Sequence, residues 1–124
     1  MTARALNTML ILALPELKEE YQKCVSWQEG DDSSPHIVFE CVFVPYIIDY
    51  VNCGDVSKVK KCSVLIENIL EYKDKYSEEV IAFSVFESLI FSEELKEDIY
   101  KYLGTESRKV YDEVEMWWKK NSEV

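Results

Sequence analysis

Glycine and proline number three each in 124 residues. Sheets joined by tight turns depend on both, so a β-sandwich or barrel has no material here. A Gly-rich phosphate loop is missing as well. Histidine occurs once, as His36. A two-histidine metal site is therefore excluded, and any Ser–His–Asp or Cys–His chemistry has to run through that single ring. The four cysteines, Cys24, Cys41, Cys53 and Cys62, show no C-x-x-C or other zinc spacing. Acidic clusters such as Glu93-Glu94 and Glu97-Asp98 lack the alternating carboxylates of a calcium loop. No catalytic residue, metal or cofactor is expected.

Positive charge is the scarcer sign. Fourteen Lys and Arg stand against 24 Asp and Glu, a formal net charge of −10. Phosphate binding depends on Lys and Arg that displace counterions, and anionic membranes attract the same residues. Neither nucleic acid nor a membrane is an expected partner; a basic protein is. No apolar run in the sequence reaches the roughly 18 residues of a membrane span. The apolar run from Met9 to Leu14 is short for a signal peptide and has no small-residue cleavage site behind it. The expectation is a cytoplasmic protein with reduced thiols.

What the chain does have is one stretch apolar nearly all round, PHIVFECVFVPYIIDYVNC, residues 35–53. Ile37, Cys41, Val44, Ile48 and Val51 form one helical stripe; Phe39, Phe43, Tyr46, Tyr50 and Cys53 form a second beside it. A helix of this kind is buried on several sides. Its length argues against a strand, and Pro45 must either kink it or start a second helix. Cys41, on the first stripe, is expected to be buried and slow to react.

Amphipathic segments flank this stretch. The first helix runs from Ala3 to Ala13 with Thr2 as cap. A second begins at Pro15 and closes at Trp27. The segment QEGDDSS, residues 28–34, is a loop, with Ser34 capping the central helix. Gly54 ends that helix and Asp55 caps the fourth, from Val56 to about Tyr72. Ser77 caps a fifth, which Val80, Ile81, Phe83, Val85, Phe86, Leu89 and Ile90 make the second most apolar helix. Ser92 starts a sixth, ending at Gly104, and Thr105 caps the seventh. The spacing thus predicts a single all-α domain over residues 1–124. It is a compact bundle of six to seven helices around a central apolar helix.

Charge is uneven along the chain. Residues 15–34 carry eight charges netting −4, and residues 77–104 carry nine netting −5. If these segments share a side they make one acidic patch. Glu29, Asp31, Asp32, Glu93, Glu94, Glu97 and Asp98, in a loop or on a polar helix face, are the candidate partner-binding carboxylates. Trp117 and Trp118 join them. Neighbouring helical residues point about 100° apart, so one ring packs inward and the other is free to anchor a partner. His36, in the first turn of the central helix, reads as a capping or hydrogen-bonding residue.

Taken together, LPELKEEY, the Pro35-His36 pair opening an apolar helix, AFSVFESL in the fifth helix and the Trp-bearing C-terminal segment resemble a family of small all-helical bacterial proteins. Members occur among immunity proteins of polymorphic and contact-dependent toxin systems. The resemblance implies a cytoplasmic protein that binds and neutralises a cognate toxin domain by occlusion. An acidic inhibitor suits a basic nuclease. Two alternatives remain open: a small enzyme using His36 and nearby acids, and a helical protein that assembles with itself.

Overall fold

Residues 35–52 form one unbroken helix, as their apolar stripes predict. The computed structural model describes residues 1–91 and 93–122; the side chains of Glu93, Glu94 and Ser122 fall outside that description. Among the described residues there are seven helices and no strand, so the fold is all-α. They are α1 (Ala3–Ala13), α2 (15–25), α3 (35–52), α4 (Val56–Leu70), α5 (75–89), α6 (Glu93–Tyr100) and α7 (Thr105–Ser122). Ser92, read as the start of α6, lies outside the described residues. α3 is central: α1, α2, α4, α5 and α6 all pack against it, while α7 lies across α4 and α5.

Pro45 does not split α3. The turns just before it widen to a π-type segment, Phe39–Phe43, in which the Val44 N–H donates to the Phe39 carbonyl five residues back. A wider turn inserts one residue and changes which side chains face inward. Val38, Phe39, Val42, Phe43, Val44, Tyr46 and Ile47 are buried. The stripe drawn through Ile37 and Cys41 turns outward instead: Ile37 is exposed, and so is Cys41. α5 contains a second wide segment, Val80–Phe86, which packs against the first. Along it Val80, Ile81, Val85 and Phe86 are buried, but Phe83 points out.

The helices share one core, in which Leu6, Leu10, Phe39, Phe43, Ile47, Ile66, Ile69, Ile81, Phe86 and Tyr111 are almost completely buried. Phe86 meets Tyr111 edge-on at 5.0 Å, and Phe39 meets Phe43 at 5.8 Å. Removing a buried ring of this size costs about 3–5 kcal/mol. Polar ties join the layers. Glu16, at the start of α2, accepts from the Tyr46 hydroxyl and from Lys58 of α4, each at 2.8 Å. The hydrogen bond from Lys58 is the main reason that its carboxyl sits at about 2, well below the usual carboxylate range.

Several helix ends follow their local signals. Thr2 accepts from the Ala5 N–H and Asp55 from the Lys58 N–H. At the end of α3, Gly54 has φ +74°; its N–H reaches the Val51 carbonyl and the next N–H reaches Tyr50. This double closure is the glycine-terminated helix end the sequence predicts. Others do not follow. Ser34 makes no side-chain cap. Asp74, not Ser77, caps α5, with its carboxylate accepting from both the N–H and the hydroxyl of Ser77 at 3.0 and 2.8 Å.

The start of α7 is closed from a distance. Glu67, on α4, accepts from the Glu106 and Ser107 N–H groups at 3.2 and 2.9 Å and from the Ser107 hydroxyl at 2.7 Å. A carboxylate at a helix N-terminus satisfies orphan donors and meets the positive end of the helix dipole. Burial pushes this carboxyl up, but the donors from Ser107 and Glu106 outweigh burial and hold it below its ordinary value. Gly104 lets the carboxylate in, because a Cβ there would lie 2.6 Å from the Glu67 Cδ.

Two outcomes follow for stability and thiol chemistry. Glu67→Ala and Gly104→Ala should each destabilise by about 1–2 kcal/mol, the range for losing a helix cap. In a Glu67→Ala background, Gly104→Ala should cost far less, because the clash has gone; additive costs in urea titrations would rule out the coupling. A depressed carboxyl adds stability above its ordinary value and loses it as pH falls through the folded one, so the Glu67→Ala cost should shrink in acid. For the thiols, Cys62 is 1% exposed and burial pushes it up to about 12, whereas Cys41 and Cys53 are exposed. Ellman's reagent should therefore titrate Cys41 and Cys53 promptly and Cys62 only on unfolding; a slow Cys41 would contradict the outward turn at Phe39–Phe43.

Candidate partner-binding surface

The acidic loop before α3 is ordered by its own carboxylates. Asp32 meets Arg4 of α1 through two hydrogen bonds, at 3.0 and 3.1 Å, and Asp31 accepts from the Tyr21 hydroxyl at 2.7 Å. The buried Asn7 amide donates to the Asp31 and Ser33 carbonyls. The hydrogen bond from Arg4 holds the Asp32 carboxyl below its usual value. Asp31 and Asp32 thus serve the α1–loop junction while staying more than half exposed. Glu29 is exposed beside them, its N–H donating to the Ser33 hydroxyl.

Glu97 and Asp98 are exposed on α6, with Asp98 3.5 Å from Lys101. The side chains of Glu93 and Glu94 lie outside the described residues. Asp98 borders a depression with Tyr50, Val51 and Gly54, at the C-terminal end of α3, whereas the loop joins α3 at its N-terminal end. At about 1.5 Å per residue, a helix spanning 35–52 is on the order of 25 Å long, and the two groups lie by its opposite ends. They do not form the single patch that a shared side would have made.

A different surface combines apolar and acidic groups: the groove of about 340 Å³ between α5 and α7. Ala82, Val110 and Val114 floor it. Phe83 and Trp117 flank it, 53% and 51% exposed. Glu78, Glu79 and Glu113 form its rim with one cation, Lys75. None of these three carboxylates is in an ion pair with a described residue. The aromatic surface continues past the groove. Trp118, half-buried, meets Trp117 edge-on at 5.4 Å and the exposed Phe91 at 5.1 Å. Of the two tryptophans, Trp118 packs inward and Trp117 is presented to solvent.

Sequence reading picked out Trp117 but missed Phe83, Glu113 and the two valines. The signal was present in the spacing Glu79, Phe83, Glu87: an aromatic four residues from a carboxylate on either side shares a polar face.

His36 is the remaining chemically distinctive residue. Its Nδ1 lies 2.8 Å from the Ser84 hydroxyl, and its ring meets Tyr76 edge-on at 6.1 Å. Ser84 is 3% exposed, in the wide segment of α5. The contact joins α3 to α5. Among the described residues no helix is long and apolar enough to cross a membrane. Among those residues no group of three or more His, Cys, Asp or Glu is placed to hold a metal ion.

The chain belongs to the family described as Domain of unknown function (DUF7674), which it matches over residues 7–119. No curated protein and no solved structure matches it.

Exposed groove walls and buried core rings should separate cleanly in stability measurements. Phe83→Ser and Trp117→Ala should each change the unfolding free energy by less than about 1 kcal/mol, since exposed side chains contribute little. Phe86→Ala should cost about 3–5 kcal/mol. A Phe83 variant that unfolds as readily as the Phe86 variant would mean that Phe83 is part of the core.

Proposed function

We propose that the chain is an inhibitory binding protein of the immunity class, which captures a basic toxin domain in the cytoplasm and blocks it by occlusion. The observation carrying this reading is the groove between α5 and α7, where exposed Phe83 and Trp117 stand within a carboxylate rim on a chain of net charge −10. Exposed apolar surface beside polar groups marks protein-binding sites. A nuclease domain must present Lys and Arg to its phosphate substrate. An acidic inhibitor meets that surface with opposite charge, which speeds association and disfavours wrong partners.

The enzyme reading has one observation in its favour, the hydrogen bond between His36 and Ser84. It pairs a base with a hydroxyl at the distance a nucleophile requires. The hydroxyl belongs to a residue 3% exposed, so a substrate carbonyl has no approach to it, and the pair works better as a tie between helices. Self-assembly is opposed by the repulsion between two chains of net charge −10.

The test is a titration of the full chain against the C-terminal domain of any large secreted protein encoded just upstream of it, at low and high salt, with nuclease activity followed in parallel. The expected outcome is a one-to-one complex, association that slows as salt rises, and loss of the toxin's activity. Replacing Glu29, Asp31, Asp32, Glu97 and Asp98 by Lys should slow association. A neighbouring toxin domain that neither binds nor is inhibited would overturn the reading. A chain whose mass doubles with concentration and that ignores the toxin would favour self-assembly.

A further inference from the structure

We infer that the groove between α5 and α7 receives one basic amphipathic helix of the partner, with its apolar stripe lodged between Phe83 and Trp117. The inference rests on the binding-protein reading and names the feature of the partner that this site takes. Its dimensions select the occupant. On α5 the groove runs from Lys75 to Phe83, which at about 1.5 Å per residue is about 12 Å, or two helical turns. That length and a volume of about 340 Å³ suit a row of side chains from one helix better than a flat domain face. A helix laid in such a groove presents anchors at i, i+3 or i+4, and i+7.

Its chemistry selects the charge. The floor of Ala82, Val110 and Val114 takes aliphatic or aromatic side chains, and the two exposed rings close over them. Glu78, Glu79 and Glu113 stand where the flanks of the bound helix would run, with Lys75 beside them and with Lys73, Lys109 and Glu106 in the adjoining depression that Glu78 and Glu113 also line. Within the lining of the groove itself, three carboxylates to one cation favour Lys or Arg on those flanks. Their lack of ion-pair partners among the described residues leaves them available without breaking an existing contact. A second copy of this chain is the poorer occupant, since it carries the same rim and the same net charge of −10.

The probe is a capped peptide of about 16 residues, roughly 24 Å as a helix, with Leu and Phe along one stripe and Lys on both flanks. An otherwise identical peptide carrying Glu in place of Lys is the control, and the full-length protein is the receptor. Binding is read by fluorescence anisotropy of labelled peptide and by the shift of the Trp117 indole N–H resonance. The basic peptide should bind and move that resonance, and the acidic one should not. Phe83→Ser, Trp117→Ala and the triple change Glu78→Lys, Glu79→Lys, Glu113→Lys should each weaken binding at least about tenfold, the behaviour of anchor positions. Leu12→Ser and Trp27→Ala, exposed away from the groove, should leave it within about twofold, as surface changes outside an interface do. Equal binding of both peptides, or indifference to the groove variants, would overturn the inference. So would a dimer of the free protein that Phe83→Ser dissociates. A toxin domain neutralised equally by wild type and groove variants removes the groove's role and leaves the inhibitory function standing. Peptide binding with no toxin neutralised does the reverse.

Discussion

Pro45 has no N–H to give, and that missing donor shapes the centre of the molecule. It sits within the helix that five others surround, where an ordinary proline would clash with the preceding turn and break the axis. The chain instead widens the turns before it, at Phe39–Phe43. Both Pro45 and Cys41, whose carbonyl an α-helical donor at 45 would have met, lie on the exposed side. Water can satisfy what the proline leaves open there. The buried side takes in Val38, Phe39, Val42, Phe43, Val44, Tyr46 and Ile47, a face wider than a single regular stripe. Because α5 packs on this widened surface with a wide segment of its own, two neighbouring helices depart from regular pitch together.

The exposed ring at the groove belongs to that departure. Within Val80–Phe86, Phe83 is the one large apolar side chain left outside. The helix that carries the widened core contact therefore also offers an aromatic to solvent, opposite Trp117 of α7. α7 is itself placed by Glu67, through donors at the helix start that the chain from 105 onward leaves unmet. A wide helix on one side and a remotely capped helix on the other thus set the two walls of the groove.

How much of this was legible in the sequence follows the range of each interaction. Thr2, Asp55 and Gly54 close helix ends through residues three or four positions away, and their roles were readable from local pattern. The helix limits at Ala3–Ala13 and 35–52 came with them. Asp74 escaped because it lies in KDKYS, where a serine nearer the acidic turn offered an equally good cap. Glu67 was invisible in principle. It serves a helix about forty residues later, and Gly104 looked like a helix terminator while acting as the space into which a carboxylate fits. Cys41 was misplaced because stripes drawn at three and four residues drift out of phase once a turn takes an extra residue.

In the proposed recognition, charge and apolar surface would divide the work by distance. At physiological salt a surface charge is screened over about 8 Å, so the loop around Asp31 and the α6 face around Asp98, on opposite ends of α3, act as separate sources. They contribute to the negative field that would draw in the basic partner proposed above, but Asp31 and Asp32 already hold Arg4 and Tyr21, and using them for contact would cost those ties. The groove carries no such debt. Its carboxylates are not committed to ion pairs with described residues, and its rings are already in water, so burying Phe83 and Trp117 gains apolar contact without first dismantling anything in the fold. A surface poised in this way favours rapid, salt-sensitive approach over the whole acidic exterior and selection at one place, where shape and charge have to agree within two turns of helix.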